Sequence, residues 1–158
     1  MGLPYVFANH FSGEGLERAL NLYRQGFQAS EAYAEPRTFV TINAVGAATA
    51  EEAEARSLPQ LRMMVRLRTG KPLTPLETVE QAQAAIATEK DRNAESIMAA
   101  ARSRWMVGAG ADVQAEIAQF TARYGVDEVM ISPVAGAFDS EPMDAAPGRL
   151  QTLELLAA

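Results

Sequence analysis

The chain has 158 residues, 48% of them apolar, so it can form one domain with a sizeable core and is too apolar for disorder throughout. Its formal net charge is −6 and no lysine and arginine residues form a basic stripe, which argues against a nucleic-acid-binding protein. The absence of cysteine excludes disulfides, zinc ribbons, thiol nucleophiles and iron–sulfur clusters, and the single histidine, His10, argues against a histidine-based metal site.

The first third of the chain alternates predicted strands and helices. Leu3–Ala8 is a short apolar and aromatic run, typical of a strand, and Asn9–Gly13 reads as a loop. Apolar residues at i, i+4, i+7 and i+11, starting at Leu16, predict an amphipathic helix over about 15–27. Thr38–Val45 alternates and is rich in β-branched residues, so it is the second predicted strand.

The middle of the chain is predicted to be helical. A Thr-x-x-Glu capping box at Thr49–Glu52 opens a helix to about Arg68, in which Pro59 should introduce a kink or a break. A second box, at Thr74–Glu77, opens an alanine-rich helix, and another helix extends to about Ser103. These later helices have the character of an insertion between strand–helix units.

The last third contains a complete strand–helix–strand unit. Met106–Gly108 is a very short predicted strand, and apolar positions recur with helical spacing over 113–124. Gly125 follows the last of them, where a left-handed helix C-terminus favours a residue without Cβ. Val129–Ser132 is the fourth predicted strand, and Gly148–Leu156 is a closing helix.

Strands that alternate with helices imply a parallel sheet. A doubly wound sheet and a (β/α) barrel both fit this alternation, and the periodicity does not separate them. No Gly-x-Gly-x-x-Gly follows a strand, since Gly108–Gly110 is only a fragment of that motif. A Rossmann dinucleotide site therefore lacks its main support.

Local sequences in the order of the chain resemble the luciferase-like flavin-dependent monooxygenase family over nearly its whole length. In that family the turn after the Val-Gly of the third predicted strand is commonly Ser/Thr-Pro-Glu. Here it is Ala109–Ala111, so Asp112 is the expected helix cap instead. The segments that carry the resemblance are Gly2–Phe11 (fifth barrel strand and its active-site end), Leu20–Phe27, Pro36–Val45 (sixth strand), Thr49–Ala53, Val107–Gly108, Tyr124–Glu128 and Leu153–Leu156 (final helix).

The resemblance implies an α/β fold, the C-terminal half of a (β/α)8 TIM-type barrel. This half would be a single domain over 1–158, with four parallel strand–helix units and a helical insertion at about 73–104. A full barrel takes about 250 residues, so strands one to four are missing. The family's flavin-phosphate segment would fall before Met1. We therefore expect a chain that is incomplete for catalysis alone, as a fragment or a truncated gene product.

A half barrel exposes two strand edges and the side chains that would point inward. The simple remedies are pairing with a second copy or covering by the helices at 73–104. We therefore expect a homodimer or a higher oligomer.

The resemblance also implies the chemistry: reduced FMN or a related deazaflavin, a small organic substrate, and dioxygen in the monooxygenase case. Sites in barrels lie at the carboxyl ends of strands, which selects Asn9, His10, Asn43 and Gly108 as cofactor-binding candidates. His10 is the catalytic candidate, as a hydrogen-bond donor or proton shuttle. The alternatives are a loop histidine with local hydrogen bonds, turn or ladder-end roles for both asparagines, and a tight turn at Gly108.

Two other functions remain open. One is a non-catalytic oligomeric half-barrel, or a subunit that completes its barrel with another chain. The other is an unrelated small α/β binding protein, favoured only if the strand order is not barrel-like. No apolar run approaches the roughly 20 residues of a membrane span and the N-terminus lacks a basic region, so we expect a cytoplasmic protein without membrane contact.

Overall fold

The computed structural model of the chain describes residues 2–11 and 13–157, with the side chain of Met143 left aside. The predicted loop residue Ser12 therefore lies outside the described residues. In chain order the described elements are β1 (Tyr5–Phe7), α1 (Leu16–Gly26), β2 (Thr38–Ala47), α2 (Ala50–Thr69), α3 (Val79–Thr88), α4 (Arg92–Arg102), β3 (Met106–Ala109), α5 (Gly110–Tyr124), β4 (Glu128–Pro133), a short 3₁₀ helix (Met143–Ala145) and α6 (Pro147–Leu156). None of these helices is both long and apolar enough to cross a membrane.

The sheet is parallel throughout, as predicted, and β2 is its centre. Val40 pairs with both β1 and β4, and Ala44 pairs with both β3 and β4. The strand β4 therefore occupies one edge of β2, while β1 and β3 share the other edge, end to end. Because β1 pairs only with Thr38–Val40, it leaves room on that edge for β3. Since β4 pairs with β2 and not with β3, the described strands do not form four strand–helix units paired in sequential order.

Alternate residues of β2 enter two apolar clusters, as its alternating side chains require. The even positions from Val40 to Ala44 pack with Leu16 and Leu20 of α1 and with Val113 of α5. The odd positions Val45 and Ala47 pack in the second cluster, whose other members are Ala53, Leu61, Ala101, Trp105, Val134 and Ala135. The carboxyl half of β2 is therefore buried on both faces, which explains its long apolar run.

The amino half of the odd face is less well covered. Val6 of β1 is 52% exposed and Met130 of β4 is 55% exposed, and they flank β2 opposite Phe39 and Thr41 respectively. The helices α3 and α4 pack against α2. The helices α3 and α4 therefore leave the sheet face around Val6 and Met130 uncovered, and this surface is called the open face.

The helix starts in the middle of the chain differ from the predicted ones. The helix α3 begins after Thr78, whose hydroxyl accepts from the amide of Gln81 in a full capping box, and not at Thr74–Glu77. The carboxylate of Glu77 is engaged elsewhere, since Arg62 Nε donates to it at 2.6 Å. Two sequences of the same capping type lie four residues apart here, and the tertiary ion pair decides between them.

The helix α5 begins at Gly110, directly after β3, and makes no side-chain cap hydrogen bond. Asp112 therefore lies inside the first turn, and the prediction that it caps the helix is wrong. Its carboxylate still lies near the positive end of the helix dipole, which is favourable without a capping bond. The predicted left-handed C-terminus is confirmed, with φ of 60° at Gly125.

Candidate active site

The loop after β1 is held against the odd face of β2 by side-chain hydrogen bonds. The amide Nδ2 of Asn43 donates to the backbone oxygen of His10 at 3.1 Å. The imidazole Nδ1 of His10 is hydrogen-bonded to Thr41 Oγ1. Thr41 and Asn43 are both buried and stand two residues apart on one face of the strand. Since β1 ends at Phe7, the loop takes the place of a longer strand here.

The same loop has its own turn structure. The amide of Asn9 donates to the oxygen of Phe7 at 2.9 Å, and the amide of Phe11 donates to the oxygen of Ala8 at 3.3 Å. The ring of Phe11 lies with its centroid 4.2 Å from that of His10 and is largely exposed. The His10 ring is therefore fixed by Thr41 on one side and by an exposed aromatic ring on another.

Asn9 lines a neighbouring cavity of about 330 Å³, which falls within the size range of small-molecule sites. Its floor is apolar, with the buried Met106 of β3 and Phe120 of α5. Its polar groups come from the loops around it and from the middle of α5, namely Asn9, Glu14, Ser103, Arg104 and Glu116. The cavity lies between the carboxyl end of β1 and the amino end of β3, on the even face of β2, whereas Thr41 and Asn43 hold His10 on the odd face.

Gly108 lies apart from this group. It pairs with Gly46, three positions further along β2 than Asn43, and is buried under α5. A Cβ at Gly108 would lie 3.7 Å from Val113 Cγ2, an ordinary packing distance. The structure therefore brings Asn9, His10 and Asn43 together and leaves Gly108 at a different position along the sheet.

A larger cavity of about 670 Å³ lies on the surface of α1 next to Tyr124. Its lining comes from the N-terminal end and the exposed side of that helix, and it contains none of the four predicted site residues. Because its walls carry no group from a strand end, it does not extend the candidate site.

Two features of the site were not found from the sequence. Thr41 was not selected, although the alternation of Thr38–Val45 places it on the same face as Asn43. Arg104 of the cavity follows α4 in a segment interpreted only as the end of a helix. A charged residue between two elements gives no local signal that a third element will lie across from it.

Buried Arg56 of α2 orders the loop that follows β4. Its guanidinium makes a bidentate pair with Glu141 at 2.9 and 2.8 Å, donates to the oxygen of Gly136 at 3.1 Å and pairs with Glu52 at 2.8 Å. Hydrogen bonds from Arg56 hold the pKa of Glu141 below its ordinary value, against the opposing effect of burial. The carboxyl end of β4 is thereby attached to α2. The Glu52–Arg56 spacing of i, i+4 was the available sequence signal.

No group of three or more histidine, cysteine, aspartate or glutamate side chains suited to a metal ion is found within residues 2–11 and 13–157.

The sequence matches no protein-family model. The uncharacterized protein YceB of Bacillus subtilis (strain 168) is 30% identical over 155 residues, a match that covers 98% of this chain and 45% of YceB. A luciferase-like monooxygenase of Escherichia coli (strain K12) is 34% identical over 84 residues, covering 51% of this chain and 25% of that protein. The chain therefore spans less than half the length of these relatives.

Solved structures share the fold. Apo-MsnO8 matches with a TM-score of 0.80 at 21% identity, over 99% of this chain and 44% of that chain. The oxygenating constituent of 3,6-diketocamphane monooxygenase from Pseudomonas putida, a type II Baeyer–Villiger monooxygenase in complex with FMN, matches with a TM-score of 0.52 at 15% identity, over 99% and 41% of the two chains. By sequence and by fold together, this chain is related to the luciferase-like monooxygenases and corresponds to less than half of a full-length relative.

Proposed function

We propose that this chain is the C-terminal part of a flavin-dependent luciferase-like monooxygenase that acts on a small organic substrate with dioxygen. The observation that carries the proposal is the His10 loop, which follows the carboxyl end of β1 and is held on the odd face of β2 by Thr41 and Asn43. Two findings support a flavin at this end of the sheet. Half of the chain is similar in sequence to a luciferase-like monooxygenase, and one protein of similar fold is in complex with FMN. The cofactor is reduced FMN or a related deazaflavin.

In this proposal the residues of the loop bind and orient, and the flavin supplies the oxygen chemistry. Asn9 and His10 face the cofactor or substrate. Asn43 acts through the loop, because its amide is already donated to the backbone of His10. Gly108 keeps its proposed role only through a close backbone approach, since it has no side chain.

We further propose that the chain alone is incomplete for catalysis. Val6 and Met130 of the open face are exposed, and the cavity lined by Asn9 is open to solvent. The relatives are also more than twice as long as this chain. Titration of FMN fluorescence with the chain, oxidised and then reduced under anaerobic conditions, should show no saturable quenching. Saturable quenching at one flavin per chain would contradict the incompleteness.

The flavin assignment itself is tested in a complete protein. Full-length YceB is titrated first to establish that it binds FMN, and a chimera in which this chain replaces the matching 45% of YceB should then bind FMN saturably as well. The variant His10→Ala should weaken that binding about tenfold, the equivalent of about 1.4 kcal/mol for a lost hydrogen bond to a charged or polar ligand group. Glu31→Ala, on the exposed connection after α1, is the matched control. Equal FMN affinity in the two variants would remove His10 from the site.

A second candidate function is a non-catalytic half-barrel that completes its sheet with a second copy or another chain. The observation that favours it is the open face, where Val6 and Met130 are exposed. Within the described residues, β1 and β4 each have one strand neighbour, so each carries a row of unpaired backbone groups.

A further inference from the structure

The hydroxyl of Thr41 stands between two groups of the candidate site. On one side it is hydrogen-bonded to His10 Nδ1, and on the other its Oγ1 lies 3.4 Å from the oxygen of Phe7. A hydroxyl has one hydrogen to donate and can accept from other donors at the same oxygen. The Phe7 oxygen is an acceptor only. The direction of the Thr41 hydroxyl therefore decides which ring nitrogen of His10 carries the hydrogen.

Two arrangements are open to a neutral imidazole. If the hydroxyl donates to Nδ1, the hydrogen of the ring sits on Nε2 and the oxygen of Thr41 receives nothing. If the hydroxyl donates to the Phe7 oxygen, Nδ1 donates its own hydrogen to Thr41 Oγ1, and both hydrogens have acceptors. Because Thr41 is buried, the arrangement in which its hydroxyl both donates and accepts is favoured, and the Phe7 oxygen, which also accepts from the amide of Asn9, has a second lone pair for it.

We infer that Thr41 is a positioning residue that holds neutral His10 in the form with the hydrogen on Nδ1. The relay runs from His10 Nδ1–H to Thr41 Oγ1 and from the Thr41 hydroxyl to the oxygen of Phe7. Asn43 fixes the backbone of the same histidine through its oxygen. The other ring nitrogen, Nε2, has no hydrogen-bond partner among the described residues and is left with a free lone pair.

The consequence is a specific role for His10 towards a ligand. A histidine held in this form accepts a hydrogen bond, or a proton, at Nε2 and does not donate one there. The ligand group that faces it must therefore be an N–H or an O–H. This role of His10 towards a ligand rests on the proposed function, whereas the hydrogen position at His10 is a property of the chain without any flavin.

The position of the ring hydrogen can be measured without overlap from other residues of the same type, because His10 is the single histidine of the chain. Long-range nitrogen–proton NMR spectra of the full chain labelled with ¹⁵N, at a pH where the imidazole is neutral, give one pair of ring nitrogens. The nitrogen without a hydrogen resonates far downfield of the other. We expect Nε2 at the downfield position, with the Nδ1–H form as the major one.

Three variants complete the test. Thr41→Val keeps the size and the strand preference of the residue, and should lower the ratio of the two forms about fivefold. Thr41→Ser retains the hydroxyl and should keep the wild-type ratio. Thr121→Val on α5 is the control, since the Thr121 hydroxyl donates to the oxygen of Ala118 in the same helix. Backbone amide spectra show that each variant is folded.

A wild-type chain with mainly the Nε2–H form would overturn the inference, as would a Thr41→Val ratio equal to that of the wild type. Neither result depends on FMN binding. Conversely, failure of the chimera to bind FMN would contradict the proposed function and leave the NMR result as it stands.

Discussion

At the scale of single residues, the most constrained side chain is that of Arg56. It is 5% exposed and binds two carboxylates and one carbonyl oxygen, with the Phe138 ring 4.5 Å from its guanidinium carbon. A buried charge of this kind contributes through the cost of leaving its partners unpaired. Its hydrogen bonds to Glu141 and Glu52 also raise the pKa of Arg56, so it stays charged.

We predict that Arg56→Met lowers the free energy of unfolding by about 3 kcal/mol, because Glu52 and Glu141 lose their partner while the packed volume is kept. Urea denaturation followed by circular dichroism measures it. The matched control is Arg37→Met, whose pair with Asp127 has side chains 57% and 30% exposed. That change should cost less than about 1 kcal/mol. Equal losses in the two variants would contradict the role given to Arg56.

The sequence predicts the candidate site residues from their positions at strand ends, and it does not predict which of them are in contact. His10 stood out because it is the only histidine, and Asn43 because it lies late in a predicted strand. Neither pattern contains the information that β1 ends at Phe7 and lets the loop fold onto Thr41. That contact depends on the register between β1 and β2, which is set by pairing over about 33 positions in the chain.

At the scale of elements, α2 shows how packing overrides a local rule. The alternative of a break at Pro59 is wrong, because Ala50–Thr69 is continuous with Pro59 buried inside it. The loop after β4 packs against the proline ring, and the amide of Gly136 donates to the oxygen of Arg56 at 2.7 Å. The loop thus supplies a partner at the turn where proline disturbs the helical hydrogen bonds.

We predict that Gly136→Ala lowers the free energy of unfolding by about 1–3 kcal/mol. A Cβ there would lie 2.6 Å from Pro59 Cγ, and both groups are held by packing. The control is Gly26→Ala at the end of α1, where a Cβ meets nothing within 4 Å. It should be neutral or stabilising by up to about 1 kcal/mol. Thermal and urea unfolding of both variants give the comparison. A Gly136→Ala protein as stable as the wild type would contradict the prediction, because it would show that Pro59 and the loop can move apart without cost.

Helices and strands with strong periodicity were predictable to within a few residues. The apolar repeats gave α1 and α5, and the β-branched run gave β2, which extends two residues further than predicted because its carboxyl end is buried by α6 as well. The start of α3 was not predictable, since Thr74 and Thr78 both open a capping pattern. Only the ion pair between Arg62 and Glu77 distinguishes them.

At the scale of the whole molecule, the open face is the feature that a partner would cover. Val6 and Met130 lie on the two outer strands, on the same side of the sheet. One copy carries a free β1 edge and a free β4 edge, and these are the two halves of a parallel pairing. Two copies related by a two-fold axis would therefore satisfy both edges at once.

We predict that the chain is a dimer or larger, with at least twice the 17.0 kDa mass of one chain in light scattering. Met130→Lys should lower the association constant at least tenfold, because it places an ammonium group on the paired face. Leu150→Lys on α6, where the native side chain is 53% exposed, is the control and should change little. A monomeric wild-type chain would contradict pairing through the open face.

The class of fold followed from alternation, and the strand order did not. Each strand was visible as a local run, but the pairing of β4 with β2 depends on how far β1 and β3 extend along the opposite edge. These are non-local contacts, on which a single sequence carries no direct signal. The uncovered position of Met130 follows from the same pairing, so it was predictable only as a general property of a half barrel.

The central position of β2 also affects how the protein is made. The hydrogen bonds from Thr38 to Asp127, which begin the contact with β4, join residues 89 positions apart. The most apolar strand therefore leaves the ribosome long before the strand that covers its second edge has been synthesised. Contacts of this range slow folding and leave a hydrophobic edge open to other nascent chains. We therefore expect β2 to be the segment most open to wrong pairing before synthesis of the chain is complete.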